Sequence, residues 1–182
     1  MKITHSKFEG LVILEPPTFK DIRGHFTEAY NYEVLKKAGM DIQFVQDNQS
    51  FSKAGVIRGL HFQTNPKAQT KLVWVLQGSV LDVVVDLRPG QPTFRMIHAI
   101  ELSRENGKQL LVPKGFAHGF AVLSESAEVF YKCDETYSPA HESGINVDDP
   151  ELNIDWKIYS NERIVSTKDK LLPNLENAKF NF

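Results

Sequence analysis

Hydrophobic and polar positions alternate in short blocks along most of the chain. Apolar, β-branched segments recur at LVIL (11–14), KLVWVL (71–76), VLDVVVDL (80–87), MIHAIEL (96–102), QLLV (109–112), FAVL (120–123) and AEVFYKC (127–133). Blocks of this length predict strands rather than helices. Between them stand QGS (77–79), RPGQP (88–92), SRENG (103–107), PKG (113–115) and SES (124–126), which place Gly, Pro, Ser or Asn where the chain must reverse. The expectation is a mainly β fold, a sandwich or barrel. One helix is expected at about 31–38, where Asn31 can cap the first turn, Lys36 and Lys37 suit the last, and Gly39 can stop it. The tail over 150–182 reads as irregular, with short helical turns.

Length and composition narrow this picture. The 182 residues show no internal repeat and no linker, so one domain spanning 1–182 is expected. The longest apolar runs, such as Leu72–Leu76, fall far short of the roughly 20 residues that cross a bilayer, and no membrane partner is expected. A formal net charge of −2 without any Lys/Arg block argues against a nucleic-acid partner. The single cysteine, Cys133, excludes an intrachain disulfide, and MKITHSKFEG lacks the apolar run of a signal peptide; both point to a cytoplasmic protein.

Candidate chemistry begins in GVIRGLHFQTNPKAQTKLVWV (55–75), which brings Arg58, His61 and Lys71 into otherwise strand-like sequence. Regular pairing would put positions 59, 61 and 63 on one face and Arg58 and Leu60 on the other. PKGFAHGF (113–120) has the P-x-G-x-x-H spacing of the second metal motif of cupin barrels, which would aim His118 inward. The first such motif, His-x-His followed by a carboxylate, is missing: His61 precedes Phe62 and Gln63, and Lys71 stands where the carboxylate belongs. An ammonium repels a metal, so neither metal nor cofactor is expected. Two imidazoles and an ammonium suit a developing anion such as an enolate or a phosphate, which favours acid–base chemistry over redox.

Each candidate also has a plainer explanation. His118 fits a hydrogen-bonded core histidine, and Arg58 a solvated strand residue. In AEVFYKC, alternation sends Val129, Tyr131 and Cys133 one way, and a buried tyrosine is commonly structural. FKDIRGHFTEAY (19–30) carries Arg23, Phe26 and Glu28, which suit either a phosphate and a base or a charged edge strand that discourages aggregation. IVSTKDK (164–170), containing Lys168 and Asp169, reads as a surface turn.

Taken in order, DIRGHFTE, the Q-x-N of QDNQS, GVIRGLHFQ, TKLVWVLQGSVLDVVVDLRPGQPTF, LVPKGFAHGF, EVFYKC, YSPAHESG and the S-x-K-D of Ser166–Asp169 resemble the dTDP-4-dehydrorhamnose 3,5-epimerase family from about Leu11 to Asp169. The resemblance implies a cupin-type jelly roll acting on a nucleotide-linked 4-keto sugar, dTDP-4-keto-6-deoxyglucose. It implies His61 as general base, Asp169 as the carboxylate that orients it, Tyr131 as proton donor and Lys71 as the enolate's counter-charge. It further assigns Arg23 and Arg58 to the diphosphate. Phe26, Glu28, Gln46, Asn48, His118, Glu142 and Lys168 become further substrate contacts, with Asp47 contributing its backbone. The family forms homodimers, so the 19–30 segment is expected to complete a partner's pocket. Trp74 and the Thr136-Tyr137 pair depart from the family pattern. Three alternatives accompany this reading: an enzyme inverting only one carbon, a sugar-nucleotide-binding cupin without activity, and a metal-dependent cupin oxygenase.

Overall fold

Two largely antiparallel sheets stack face to face, and the computed structural model describes all of residues 1–182. In chain order the elements are β1 (Lys2–His5), β2 (Val12–Glu15), β3 (Thr18–Asp21), β4 (Gly24–Thr27), α1 (Tyr32–Lys37), β5 (Gln46–Lys53), β6 (Val56–Gln63) and β7 (Lys71–Gln77). They continue with β8 (Ser79–Asp86), β9 (Ile97–Ser103), β10 (Gln109–Val112), β11 (Phe116–Val122), β12 (Ser126–Cys133), β13 (Glu142–Gly144), β14 (Ile164–Val165) and α2 (Thr167–Lys170). The first sheet runs β1-β2-β10-β7-β12-β5. The second runs β13-β6-β11-β8-β9, with β14 added parallel to β6, and β3 and β4 form a separate hairpin. This is the cupin-type β-sandwich that the alternating pattern and the resemblance lead one to expect.

The layers follow from which side chains are apolar on both faces. Between the sheets lie Phe8, Val73, Val75, Val80, Val84, Phe116 and Val129. On the far side of the second sheet, Ile57, Leu60, Leu81, Val83, Val85 and Ala117 pack under the chain after Ile145, where Trp156 is fully buried and donates its indole N–H to Val147 O at 2.9 Å. Apolar cover on both faces explains why VLDVVVD reads as an unbroken run rather than an alternation. Helix α1 covers part of the first sheet's outer face, with Leu35 against Val12, Leu14, Leu72 and Leu111.

Most expected elements are present with edges moved by a residue or so, and α1 has its expected Asn31 cap, whose Oδ1 accepts from Val34 N at 3.3 Å. The strand expected at 120–123 begins earlier, at Phe116, so it includes His118. IVSTKDK is not a surface turn. Val165 and Ile164 pair with β6, Ser166 caps α2, and Asp169 is buried. No helix is long and apolar enough to cross a membrane.

Candidate active site

The site is built around an irregularity in β6. His61 pairs with His118 and Arg58 pairs with Phe120, so an interval of three residues on β6 faces one of two on β11. This bulge overturns the strict alternation expected for the segment. The additional residue turns Arg58 and His61 to the same, inner side, and both line one cavity of about 490 Å³. Glycine is required where the strands meet most closely. A Cβ on Gly59, at φ +131°, would lie 2.6 Å from Gly119 Cα, and one on Gly119 would lie 2.6 Å from Arg58 O.

Each imidazole has its own carboxylate. His61 Nε2 lies 2.9 Å from Asp169 Oδ1, while Asp169 Oδ2 accepts from Gly59 N at 3.3 Å. A carboxylate cannot donate, so Nε2 of His61 carries the proton of that bond and Nδ1 is the nitrogen left for other chemistry. Parallel pairing of β14 with β6 brings α2 beside His61, and Ser166 Oγ accepts from Asp169 N at 3.0 Å. Burial works against the charge on Asp169, but the hydrogen bonds from His61 and Gly59 outweigh it and hold the carboxyl below its ordinary range. His118 Nε2, in the same way, reaches Asp82 Oδ2 at 2.9 Å, with Asp82 fully buried in β8.

The facing sheet supplies Lys71 from β7 and Tyr131 from β12. The Lys71 ammonium lies 5.9 Å from the Tyr131 ring centroid. Burial pushes its pKa down, an effect that Cys133, Asp82 and Glu142 only partly offset. Burial likewise pushes the Tyr131 phenol up and keeps it protonated. His61, Lys71 and Tyr131 also line a second cavity of about 240 Å³, together with Gln46, Asn48, Tyr137 and Glu142, so the two spaces share a wall. Glu142 Oε2 accepts from Tyr137 Oη at 2.7 Å and from Lys168 Nζ at 2.6 Å. No group of three or more His, Cys, Asp or Glu side chains is arranged to hold a metal ion.

Of the candidate residues, Arg58, His61, Lys71, His118, Tyr131, Lys168 and Asp169 line the larger cavity, and Gln46, Asn48 and Glu142 the smaller. Asp47 points the other way, its carboxylate on Lys132 Nζ at 2.7 Å. Arg23 and Phe26 stand on the exposed β3–β4 hairpin, away from both cavities, with Arg23 paired to Asp21; Glu28, just beyond β4, accepts from Asn31. Sequence reasoning missed Asp82 and Ser50. For Asp82 the signal was present: a lone carboxylate inside an apolar run needs a buried partner.

Sandwich and site together define a carbohydrate epimerase of cupin type. A family model described as dTDP-4-dehydrorhamnose 3,5-epimerase matches residues 5–177, and the chain belongs to that family. A dTDP-4-dehydrorhamnose 3,5-epimerase from Bacillus anthracis, solved with TDP and PPi bound, superposes with a TM-score of 0.92 at 52% identity, covering 96% of this chain and 99% of that one. A Legionella pneumophila epimerase in complex with dTDP-4-keto-L-rhamnose gives a TM-score of 0.92 at 43% identity, covering 97% and 93%. The dTDP-4-dehydrorhamnose 3,5-epimerase of Methanothermobacter thermautotrophicus is 44% identical over 166 residues, 91% of this chain and 89% of that protein.

Proposed function

We propose that this chain inverts carbons 3 and 5 of dTDP-4-keto-6-deoxyglucose, giving dTDP-4-keto-rhamnose, and that residues 1–182 act as one catalytic domain. One observation carries the reading: His61 and Tyr131 come from opposite sheets and face one cavity. Inversion needs a base on one face of the ring and an acid on the other.

The ketone at carbon 4 makes the protons on carbons 3 and 5 acidic. His61, with Asp169 balancing the imidazolium that forms, removes one of them. The electron pair moves onto the carbonyl oxygen as an enolate, which the Lys71 ammonium stabilises across the low-dielectric cavity. Tyr131 returns a proton to the carbon from the other face. Solvent then takes the proton from the His61 imidazolium and returns one to the Tyr131 phenolate, and repeating the sequence at the second carbon completes the reaction. Arg58 takes the diphosphate, and Gln46, Asn48, His118, Glu142 and Lys168 are further contacts, with Asp47 offering only its backbone.

Arg23, Phe26 and Glu28 fit this scheme if the β3–β4 hairpin reaches the cleft of a second copy in a homodimer. The hairpin pairs with no other strand and exposes Phe19, Ile22 and Phe26, which supports that arrangement. A cytoplasmic location, in keeping with the single cysteine, completes the reading.

The test is incubation with dTDP-4-keto-6-deoxyglucose in deuterated water, read by NMR. Wild type is expected to incorporate deuterium at both carbons, His61→Ala at neither, and Tyr131→Phe to lose inversion more than exchange. Deuterium at one carbon only would make it a single-centre epimerase. Binding without exchange would make it a non-catalytic sugar-nucleotide binder.

A further inference from the structure

The inner face of β5 reverses the usual composition of a strand. Its burial alternates strictly, and the inward positions are Gln46, Asn48, Ser50 and Ser52, all polar. Gln46 Nε2 donates to Asn48 Oδ1 at 3.0 Å, Gln46 Oε1 accepts from Tyr137 N at 2.8 Å, and Asn48 Nδ2 approaches Cys133 Sγ at 3.7 Å. Ser52, itself buried, accepts from Arg58 Nε at 2.9 Å, while Arg58 Nη2 donates to Phe51 O at 3.2 Å. Ser50 is the exception. It lines the larger cavity with Arg58, His61 and Tyr131, yet its buried hydroxyl has no partner in the protein.

A buried hydroxyl left unpaired costs about 1–3 kcal/mol, and native structures keep few of them. No group of the protein takes the Ser50 hydroxyl's hydrogen bond, so it is free to bond whatever occupies the cavity it lines. Ser50 lies two residues from Ser52 on the same face, about 7 Å along the strand. That spacing is comparable to the reach of one diphosphate seated on the guanidinium that Ser52 holds. The bonds to Ser52 and Phe51 fix Arg58 edge-on to β5 and leave the rest of its fork of donors free, the geometry that matches phosphate oxygens.

We propose that Ser50 and Ser52 are the β5 half of the diphosphate clamp: Ser50 binds a diphosphate oxygen directly through its hydroxyl, and Ser52 is a positioning residue that acts through Arg58. This rests on the substrate class proposed above.

Calorimetric titration with dTDP and with thymidine tests it. Ser50→Ala is expected to weaken dTDP binding roughly tenfold, as loss of a hydrogen bond to a charged group does, with thymidine binding unchanged and thermal stability equal or higher. Ser52→Ala is expected to weaken dTDP about three- to tenfold, Ser52→Thr to restore it, and Ser52→Ala to have no further effect in an Arg58→Ala background. Ser50→Ala should still weaken binding in that background. Unchanged dTDP affinity in Ser50→Ala, or equal losses for dTDP and thymidine, would overturn the direct role. A Ser52→Ala effect that persists without Arg58 would overturn the positioning role. Wild-type protein that fails to bind dTDP would overturn both this inference and the substrate assignment, whereas wild type that binds dTDP no better than Ser50→Ala sinks the clamp alone.

Discussion

His61 and His118 stand directly opposite each other on β6 and β11, and each is tied to a different carboxylate, Asp169 and Asp82. The two imidazoles are therefore neighbours in space with separate hydrogen-bond partners. Both carboxylates accept from Nε2, so both rings present Nδ1 as the remaining nitrogen.

Asp169→Asn and Asp82→Asn are expected to separate these roles. An amide keeps the hydrogen bond but cannot balance an imidazolium. Asp169→Asn should lower kcat by about 10²–10⁴, the usual weight of a general base. Asp82→Asn should cost about tenfold, the weight of one charge-assisted bond, and act mainly on KM. Steady-state kinetics on folded variants distinguish the two, and equal losses would contradict the division.

Activity should fall on the alkaline side because Lys71, not Tyr131, loses its proton. Burial lowers the pKa of the Lys71 ammonium and raises that of the Tyr131 phenol, so both shifts act to make Lys71 the group that gives up its proton on the alkaline side. Lys71→Arg, which stays charged throughout, should retain some activity and lose that limb of the kcat–pH profile. Lys71→Met should cost about 10²–10³ in kcat on the plateau, a gap that closes along the alkaline limb as the wild-type ammonium loses its charge.

His98 gives a stability test away from the chemistry. It points between the sheets, its ring edge-on to Phe8 at 5.7 Å, and its Nε2 is buried without a partner. Burial lowers its pKa from 6.5, with Lys7 lowering it further and Asp82 opposing both. The unfolded chain thus binds more protons than the folded one just below pH 6.5. This contribution to stability is complete above that pH and is lost as pH falls through the window down to the folded value. Thermal melts at pH 7.5 and 5.5 should differ less for His98→Val than for wild type, and the variant should be the more stable at pH 5.5.

Gly119→Ala tests the close approach of β6 and β11. A Cβ there meets Arg58 O at 2.6 Å, so the strands must part. Urea melts should show a loss of about 1–3 kcal/mol, typical of overpacking, with kcat reduced because His61 and Arg58 move with β6. Full activity would mean that the spacing of the two strands is not what sets the site.

Much of this architecture was legible in the chain. The apolar blocks marked most strands because their side chains meet a core on at least one face, and Asn31 marked a helix start through a local hydrogen bond. Strand β5 escaped because its inner face meets a cavity, so QDNQSFSK carries no apolar alternation to read. Asp169 was misread as a surface residue because Ser and Asp beside Lys are turn chemistry by composition; only the long-range pairing of β14 with β6 buries it. His118 was legible from its spacing, and Asp82 stood out as a lone carboxylate in an apolar run, but only the pairing of β8 with β11 shows that the two are partners.

The bulge in β6 makes residue count, and not only residue identity, part of the active site. Between Arg58 and His61 the strand carries one residue more than its neighbour, and that surplus alone keeps the guanidinium and the imidazole on one side of the sheet. Losing or gaining a single codon in this interval would turn Arg58 away from His61 while leaving every functional side chain encoded.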